Sequence, residues 1–169
     1  MVTKKDAEKI IGMFEDAGVS IFIDGGWGVD ALLGYESRKH NDIDIFIETV
    51  NENNTFDILR GNGYHEIAMD YTTSCHSVWQ DGKGRIIDLH IFSYDINRNL
   101  IFEGEKYPAD VFSGSGKIGN REVICITPGY QVQFHLGYNQ DENDIKDVLL
   151  LCKTFNLEIP QEIINKTLQ

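Results

Sequence analysis

Two aspartates one residue apart, Asp42 and Asp44, stand among Ile43, Ile45, Phe46 and Ile47, and no other pattern in the chain restricts its fold as much. The apolar, β-branched neighbours predict a strand. On a strand, residues i and i+2 face the same way, so both carboxylates leave one side of a sheet. Upstream, Gly25-Gly26-Trp27 opens a short apolar stretch that stops at Gly34, which predicts a turn running into a short helix. Such a turn gathers backbone N–H groups and a helix N-terminus where an anion can sit. Two hard oxygen donors side by side suit Mg²⁺, which binds carboxylates together with substrate phosphates. Together the two features imply chemistry on a nucleoside triphosphate.

The chain has 169 residues, enough to bury one core and short for two, so residues 1–169 are expected to form a single domain. A formal net charge of -12 argues against a nucleic-acid partner, because enzymes that track phosphate backbones cluster Lys and Arg. The acidity instead favours a small, often cationic acceptor. Cys75, Cys125 and Cys152 have no metal-ligand spacing, and the latter two lie in apolar stretches expected to bury them. The N-terminal stretch lacks an apolar signal core and no segment approaches the roughly 20 apolar residues of a membrane span, so a reducing cytoplasm is expected.

Ala7, Ile10, Ile11 and Phe14 recur at helical spacing and predict a helix over 3–17, ended by Gly18. Strands are expected at 19–23, 41–48, 64–69, 74–79, 85–92 and 121–126, with helices at 26–33 and 51–62. Asp81-Gly82-Lys83-Gly84 reads as the turn of a hairpin. Residues 97–119 read as a loop with short β pieces. Thr127-Pro128 starts a helix expected to reach Tyr138, followed by helices at 141–155 and 160–168. The class is α/β or α+β: a mixed sheet with flanking helices and a helical C-terminal part from about residue 127.

Asp88, in Ile86-Ile87-Asp88-Leu89-His90-Ile91, is the third candidate carboxylate, since a charge among apolar neighbours needs a partner or a metal. Placed beside bound metal, it could take the proton from an acceptor hydroxyl. His90 falls on the same face and is open to four roles: metal ligand, proton relay, acceptor contact or core residue. Arg38, on the loop between the glycines and the aspartates, suits phosphate oxygens, whereas Lys39 reads as a solvated charge. Asp30 reads as a cap or a partner for Arg38. His135 and Tyr138, three apart on the expected helix, could line an acceptor cleft. Tyr71, Trp79 and Tyr94 are read as the surroundings of a single acceptor amine. Gly114-Ser115-Gly116-Lys117-Ile118-Gly119 lacks the Ser or Thr after Lys and a following helix, so it is not a P-loop.

Gly25-Gly26-Trp27, Asp30 and Arg38-x-His40-x-Asp42-x-Asp44 resemble the small antibiotic nucleotidyltransferases of the DNA polymerase β-like superfamily. Ile87-Asp88-Leu89-His90 and Phe134-His135-Leu136-Gly137-Tyr138 are most similar to the lincosamide branch, and the likeness runs from about residue 6 to residue 155. The resemblance implies a nucleotidyltransferase fold and Mg²⁺-dependent transfer of AMP from ATP to a hydroxyl of a lincosamide. An aminoglycoside acceptor, or a protein partner as in minimal antitoxin-type nucleotidyltransferases, is the alternative. It further implies two metal ions held by Asp42, Asp44 and Asp88, and catalysis by those three. Nucleotide binding would fall to Gly25, Gly26, Arg38 and Lys146, acceptor binding to His90, His135 and Tyr138, and a homodimer is the implied assembly. Asp24 stands where aminoglycoside relatives tend to carry glycine, so it is not read as catalytic.

Overall fold

The structure, a computed structural model, describes residues 1–167. Its first helix, α1 (Lys4–Asp16), begins with a capping box in which Thr3 and Asp6 satisfy each other's backbone N–H groups. The helix ends by folding back: Gly18 and Val19 donate to the carbonyls of Glu15 and Phe14. Those bonds hold Val19 against the helix, which is why β1 (Phe22–Asp24) starts later than the apolar run suggests. The short helix α2 (Gly25–Leu33) follows directly and stops at Gly34, whose φ of 79° is a left-handed C-cap.

The strand bearing the aspartates, β2 (Asp42–Glu48), leads through a 3₁₀ turn into α3 (Glu52–Gly61). Next come β3 (Tyr64–Ile67), β4 (His76–Asp81) and β5 (Ile86–Tyr94). Asp81 makes the β4–β5 turn by accepting from the Lys83 and Arg85 N–H groups and pairing with the Arg85 guanidinium, which also reaches Asp6. The stretch that reads poorly in sequence contains a small hairpin, β6 (Leu100–Phe102) and β7 (Glu105–Tyr107). Its two turn residues, Glu103 and Gly104, both have positive φ, as a tight two-residue turn requires. Then come β8 (Gly114–Ile118) and β9 (Arg121–Cys125). The glycines of β8 serve packing, since a Cβ on Gly116 would lie 2.1 Å from the Ala31 carbonyl oxygen of α2.

Three helices close the described residues: α4 (Pro128–Phe134), α5 (Glu142–Phe155) and α6 (Gln161–Thr167). The expectation that α4 would reach Tyr138 is not met. His135 is already its C-cap, and Gly137 takes a φ of 86° that an α-helix cannot continue. The last residue of the expected final helix, Leu168, lies outside the described residues.

The strands form one mixed sheet in the order β3-β4-β5-β2-β1-β9-β8, with β6 and β7 attached beyond β5. The pairs β5–β2 and β1–β9 are parallel and the others antiparallel. Alternation decides which residues are buried. Ile43, Ile45 and Ile47 of β2, with Ile87, Leu89 and Ile91 of β5, pack with Ala7, Ile10, Ile11 and Phe14 of α1 in the main core. A second core joins Val29 of α2 to Val132, Val148, Leu151 and Ile163 of the C-terminal helices. A third, aromatic cluster of Phe46, Phe92 and Phe112 lies where the sheet meets the β6–β7 hairpin. Cys125 and Cys152 are both buried, as expected. Among the described residues no helix is long and apolar enough to cross a membrane.

Candidate active site

Strand register builds the site. Asp44 of β2 lies beside Asp88 of β5 in the parallel pairing and beside Asp24 of β1 in the antiparallel one. Side chains directly opposite one another share a face, so Asp24, Asp44 and Asp88 form a row across three neighbouring strands. Two residues along, the same geometry makes a second row: Phe22, Phe46, His90 and, on β4, His76. Asp42 occupies the same face one step before Asp44.

So many carboxylates on one face repel. Burial first, then the charges of Asp44 and Asp88, raise the pKa of Asp42 to about 6. Burial and the neighbouring Asp44 likewise raise Asp24, whose Oδ1 is enclosed without a hydrogen-bond partner. Burial opposes charge on His90, but the carboxylates of Asp44 and Asp88 outweigh it and shift that histidine upward. Its Nε2 is 3.9 Å from an oxygen of each of those aspartates. Such a collection of hard oxygens, each crowding the next, fits a divalent cation, which would relieve the repulsion.

Glycine is required at the turn by close approach. Gly25 has a φ of 56°, and a Cβ there would stand 2.0 Å from Asp44 Oδ2. A Cβ on Gly26 would meet the side chains of His40 and Arg38 at 2.4 and 2.5 Å. The buried Gln131 of α4 braces the turn by donating to the Gly25 carbonyl at 3.0 Å.

A cavity of about 300 Å³ opens in front of these groups, lined by Gly25, Gly26, Arg38, Asp42, Asp44 and His135 among others. A second, of about 340 Å³, adjoins it and shares Asp24 and Phe134; its other walls include Phe46, His90, Phe102 and Tyr107. Together they supply a polar chamber and an aromatic one on either side of Asp24.

The expected residues fare unequally. Asp42, Asp44, Asp88, His90, Gly25 and Gly26 converge. Arg38 lines the polar cavity, with its guanidinium held by Asp147 at 2.6 Å. Asp30 does not bridge to Arg38: it binds the His40 ring at 2.6 Å and accepts from the Ser37 N–H. His40 in turn lies against the Trp27 indole, so the Arg-x-His segment is anchored by two separate acids. Lys146 points elsewhere, donating to the Ser37 carbonyl at 3.0 Å, and is not among the cavity walls. His135 and Tyr138 both line the polar cavity, yet they reach it from the end of α4 and the loop beyond, not from one helix face. Trp79 is not near the site. It alternates to the core side of β4, stacks near Phe56 and donates to Ser77.

Two residues were missed. His76 is within 2.5 Å of Asp88 Oδ1, and Tyr71 leans on its ring. The signal for His76 was present, since the Asp81–Arg85 turn fixes a pairing that sets His76 opposite His90. Asp24, set aside in the sequence, joins the carboxylate row because β1 runs antiparallel beside β2.

Known proteins resemble this chain over most of its length. The family model described as Aminoglycoside-2''-adenylyltransferase matches residues 7–151. The lincosamide resistance protein of Staphylococcus haemolyticus is 31% identical over 152 residues, covering 87% of this chain and 92% of that protein. The crystal structure of lincosamide antibiotic adenylyltransferase LnuA, lincomycin-bound, superposes with a TM-score of 0.77 at 28% identity, over 89% of this chain and 96% of that one. ANT(2")-Ia in complex with adenylyl-2"-tobramycin shares the fold, with a TM-score of 0.68 at 20% identity over 90% of this chain and 88% of that one. With most of its length matched by the family model and by a relative covered almost end to end, this chain belongs to the aminoglycoside-2''-adenylyltransferase family, nucleotidyltransferases that act on antibiotics.

Proposed function

We propose that this protein transfers AMP from ATP to a hydroxyl of a lincosamide antibiotic and thereby inactivates it. The observation that carries the acceptor class is the match to the Staphylococcus haemolyticus lincosamide resistance protein over 92% of that protein's length. The aromatic cavity supports it. Phe102, Tyr107 and Phe134 add aromatic faces to walls that also carry His90 and Gln133, and among the described residues lining it Asp24 and Glu103 are the carboxylates. That suits one basic amine on a compact apolar frame better than the several ammonium groups of an aminoglycoside.

In this reading Asp42 and Asp44 hold Mg²⁺, with Asp88 completing the set, and two ions are assigned to the site. When bound, the metal neutralises the triphosphate and the departing pyrophosphate. The chain's own groups do the rest. The N–H groups at Gly25 and Gly26 and the start of α2 face the phosphates, and Arg38, fixed by Asp147, adds a positive charge to that wall. Asp88 accepts the proton of the acceptor hydroxyl as its oxygen attacks the α-phosphorus. The new O–P bond forms while the bond to the β-phosphate oxygen breaks, and pyrophosphate leaves with that electron pair. His76 holds the Asp88 carboxylate in place through its ring nitrogen. Closing the aromatic chamber around the acceptor would exclude water, which otherwise competes as the nucleophile.

A second reading keeps the chemistry and changes the acceptor to an aminoglycoside. The net charge of -12 and the acidic rim at Asp141 and Asp144 favour it. One experiment separates the two. The protein is incubated with ATP, Mg²⁺ and separate samples of lincomycin, clindamycin, kanamycin and gentamicin, and products are weighed by mass spectrometry. Lincomycin and clindamycin should gain one adenylyl group. The aminoglycosides should be at least about tenfold worse in kcat/KM, a gap of about 1.4 kcal/mol. Equal or better turnover of an aminoglycoside would transfer the assignment to that class.

A further inference from the structure

We propose that His76, Asp88 and His90 form a binding site for a borderline divalent cation such as Zn²⁺, separate in chemistry from the oxygen site at Asp42 and Asp44. Their donor atoms, two imidazole nitrogens and a carboxylate oxygen, all lie within 4.8 Å of one another. His76 Nε2 is 2.5 Å from Asp88 Oδ1, and His90 Nε2 is 3.9 Å from the same oxygen. Tetrahedral zinc with bonds of about 2.0–2.1 Å needs donors about 3.4 Å apart, so one separation must open and the other close by less than the width of an atom. A fourth donor is at hand, because Asp44 Oδ1 also lies 3.9 Å from His90 Nε2.

The two imidazoles are already oriented. His90 stacks on Phe46 with ring centroids 4.7 Å apart and meets Phe102 edge-on. His76 lies between the rings of Tyr71 and His90, at 5.1 and 4.5 Å. Neither ring has to be recruited from solvent, which removes much of the entropy cost of assembling a site. His76, Asp88 and His90 keep side-chain exposures of 17%, 17% and 13%, so an ion can reach them. Imidazole nitrogen suits zinc, copper, nickel and iron, whereas Mg²⁺ prefers oxygen. The two neighbouring sites should therefore sort cations by type. Zinc would take the place of the hydrogen bond that now joins His76 and Asp88.

The sites share Asp88, and also Asp44 where it serves as the fourth donor, and that sharing gives the second one a consequence. With Zn²⁺ held on Asp88 by the two imidazoles, this carboxylate is drawn out of the Mg²⁺ set and away from the acceptor hydroxyl. On the adenylyl-transfer reading above, Zn²⁺ then inhibits turnover even at saturating Mg²⁺; the binding itself does not depend on that reading.

The test uses metal-free full-length protein without nucleotide or antibiotic. Co²⁺ substitutes for Zn²⁺ and gives a visible absorption band when held by nitrogen in a site of low coordination number. Competition with a chromophoric chelator gives the Zn²⁺ affinity. Wild type should bind one Zn²⁺ and show the cobalt band. H76Q should lose the band and weaken Zn²⁺ at least tenfold, while D42N should keep both within about twofold. Zinc affinity unchanged in H76Q, or abolished in D42N, would overturn the proposal by placing the ion on the aspartates. Should H76Q fail to fold by circular dichroism, H90Q puts the same question. Loss of drug adenylation with an intact cobalt band would count against the proposed function and leave this site standing.

Discussion

Replacing Asp42 with Asn should stabilise the metal-free protein while abolishing its activity. In the folded chain the carboxyl of Asp42 titrates near 6 against an ordinary value of 3.8, because burial and the charges of Asp44 and Asp88 oppose its ionisation. A folded-state pKa raised above the unfolded one means that stability is fully present below the unfolded value. It is lost as pH rises through the folded value. At pH 7.5 the whole difference is in force. About two pKa units correspond to about 3 kcal/mol, and partial exposure of the side chain trims this to roughly 2 kcal/mol. For a chain of this size that is a rise in Tm of roughly 4–8 °C. Asn keeps the shape and drops the charge, so the variant should exceed wild type at pH 7.5 in EDTA and converge on it by pH 4. Added Mg²⁺ should reverse the order, stabilising wild type and leaving the variant unmoved. Urea unfolding followed by circular dichroism at both pH values, with and without Mg²⁺, measures all of this. A variant no more stable than wild type at pH 7.5 in EDTA would refute the account of mutual repulsion, as would an advantage that persists unchanged at pH 4.

Asp88→Asn should lower kcat by roughly 10²–10⁴-fold, the range for a lost general base. If nucleotide affinity collapses in this variant while single-turnover chemistry survives, Asp88 is a metal ligand and not the base. Gly25→Ala should cut turnover at least about tenfold, because its Cβ would stand 2.0 Å from Asp44 Oδ2 on a backbone with φ of 56°. Wild-type turnover in G25A would show that the turn can give way without disturbing the carboxylates. Arg38→Ala leaves the fully buried Asp147 without its partner and should cost about 3–5 kcal/mol in denaturant unfolding. The double variant with Asp147→Ala should recover part of that loss, and a double variant as unstable as R38A would argue that the pair matters only through packing.

What could be read along the chain was whatever short-range spacing controls. Asp42 and Asp44 share a face because a strand has a period of two, and the glycines announce a turn because only glycine tolerates that backbone beside a side chain. The glycine stops at Gly18 and Gly34 and the start of α4 at Thr127-Pro128 were legible for the same reason, whereas the capping boxes at Thr3 and Asp141 were not read. Errors arose where a neighbour distant in sequence overrode the local pattern. Trp79 looked like an acceptor contact by composition, but its parity on β4 sends it into the core against Phe56. Asp30 looked like a partner for Arg38, yet Asp147, 109 residues away, takes the guanidinium and His40 takes Asp30. His135 and Tyr138 reach the cavity although the helix expected to align them ends at Phe134.

The sequence by itself determined the two aspartates on one face, the glycine turn before them and the acidic Asp88 in an apolar strand. Each of these is a property of neighbours along the backbone. Only the tertiary structure decided that β5 lies parallel beside β2 in a register that sets Asp88 against Asp44, and that β1 adds Asp24. It also decided that β4 swings His76 onto Asp88. Strand order and register are set by which faces can be buried together, and that depends on the whole chain at once.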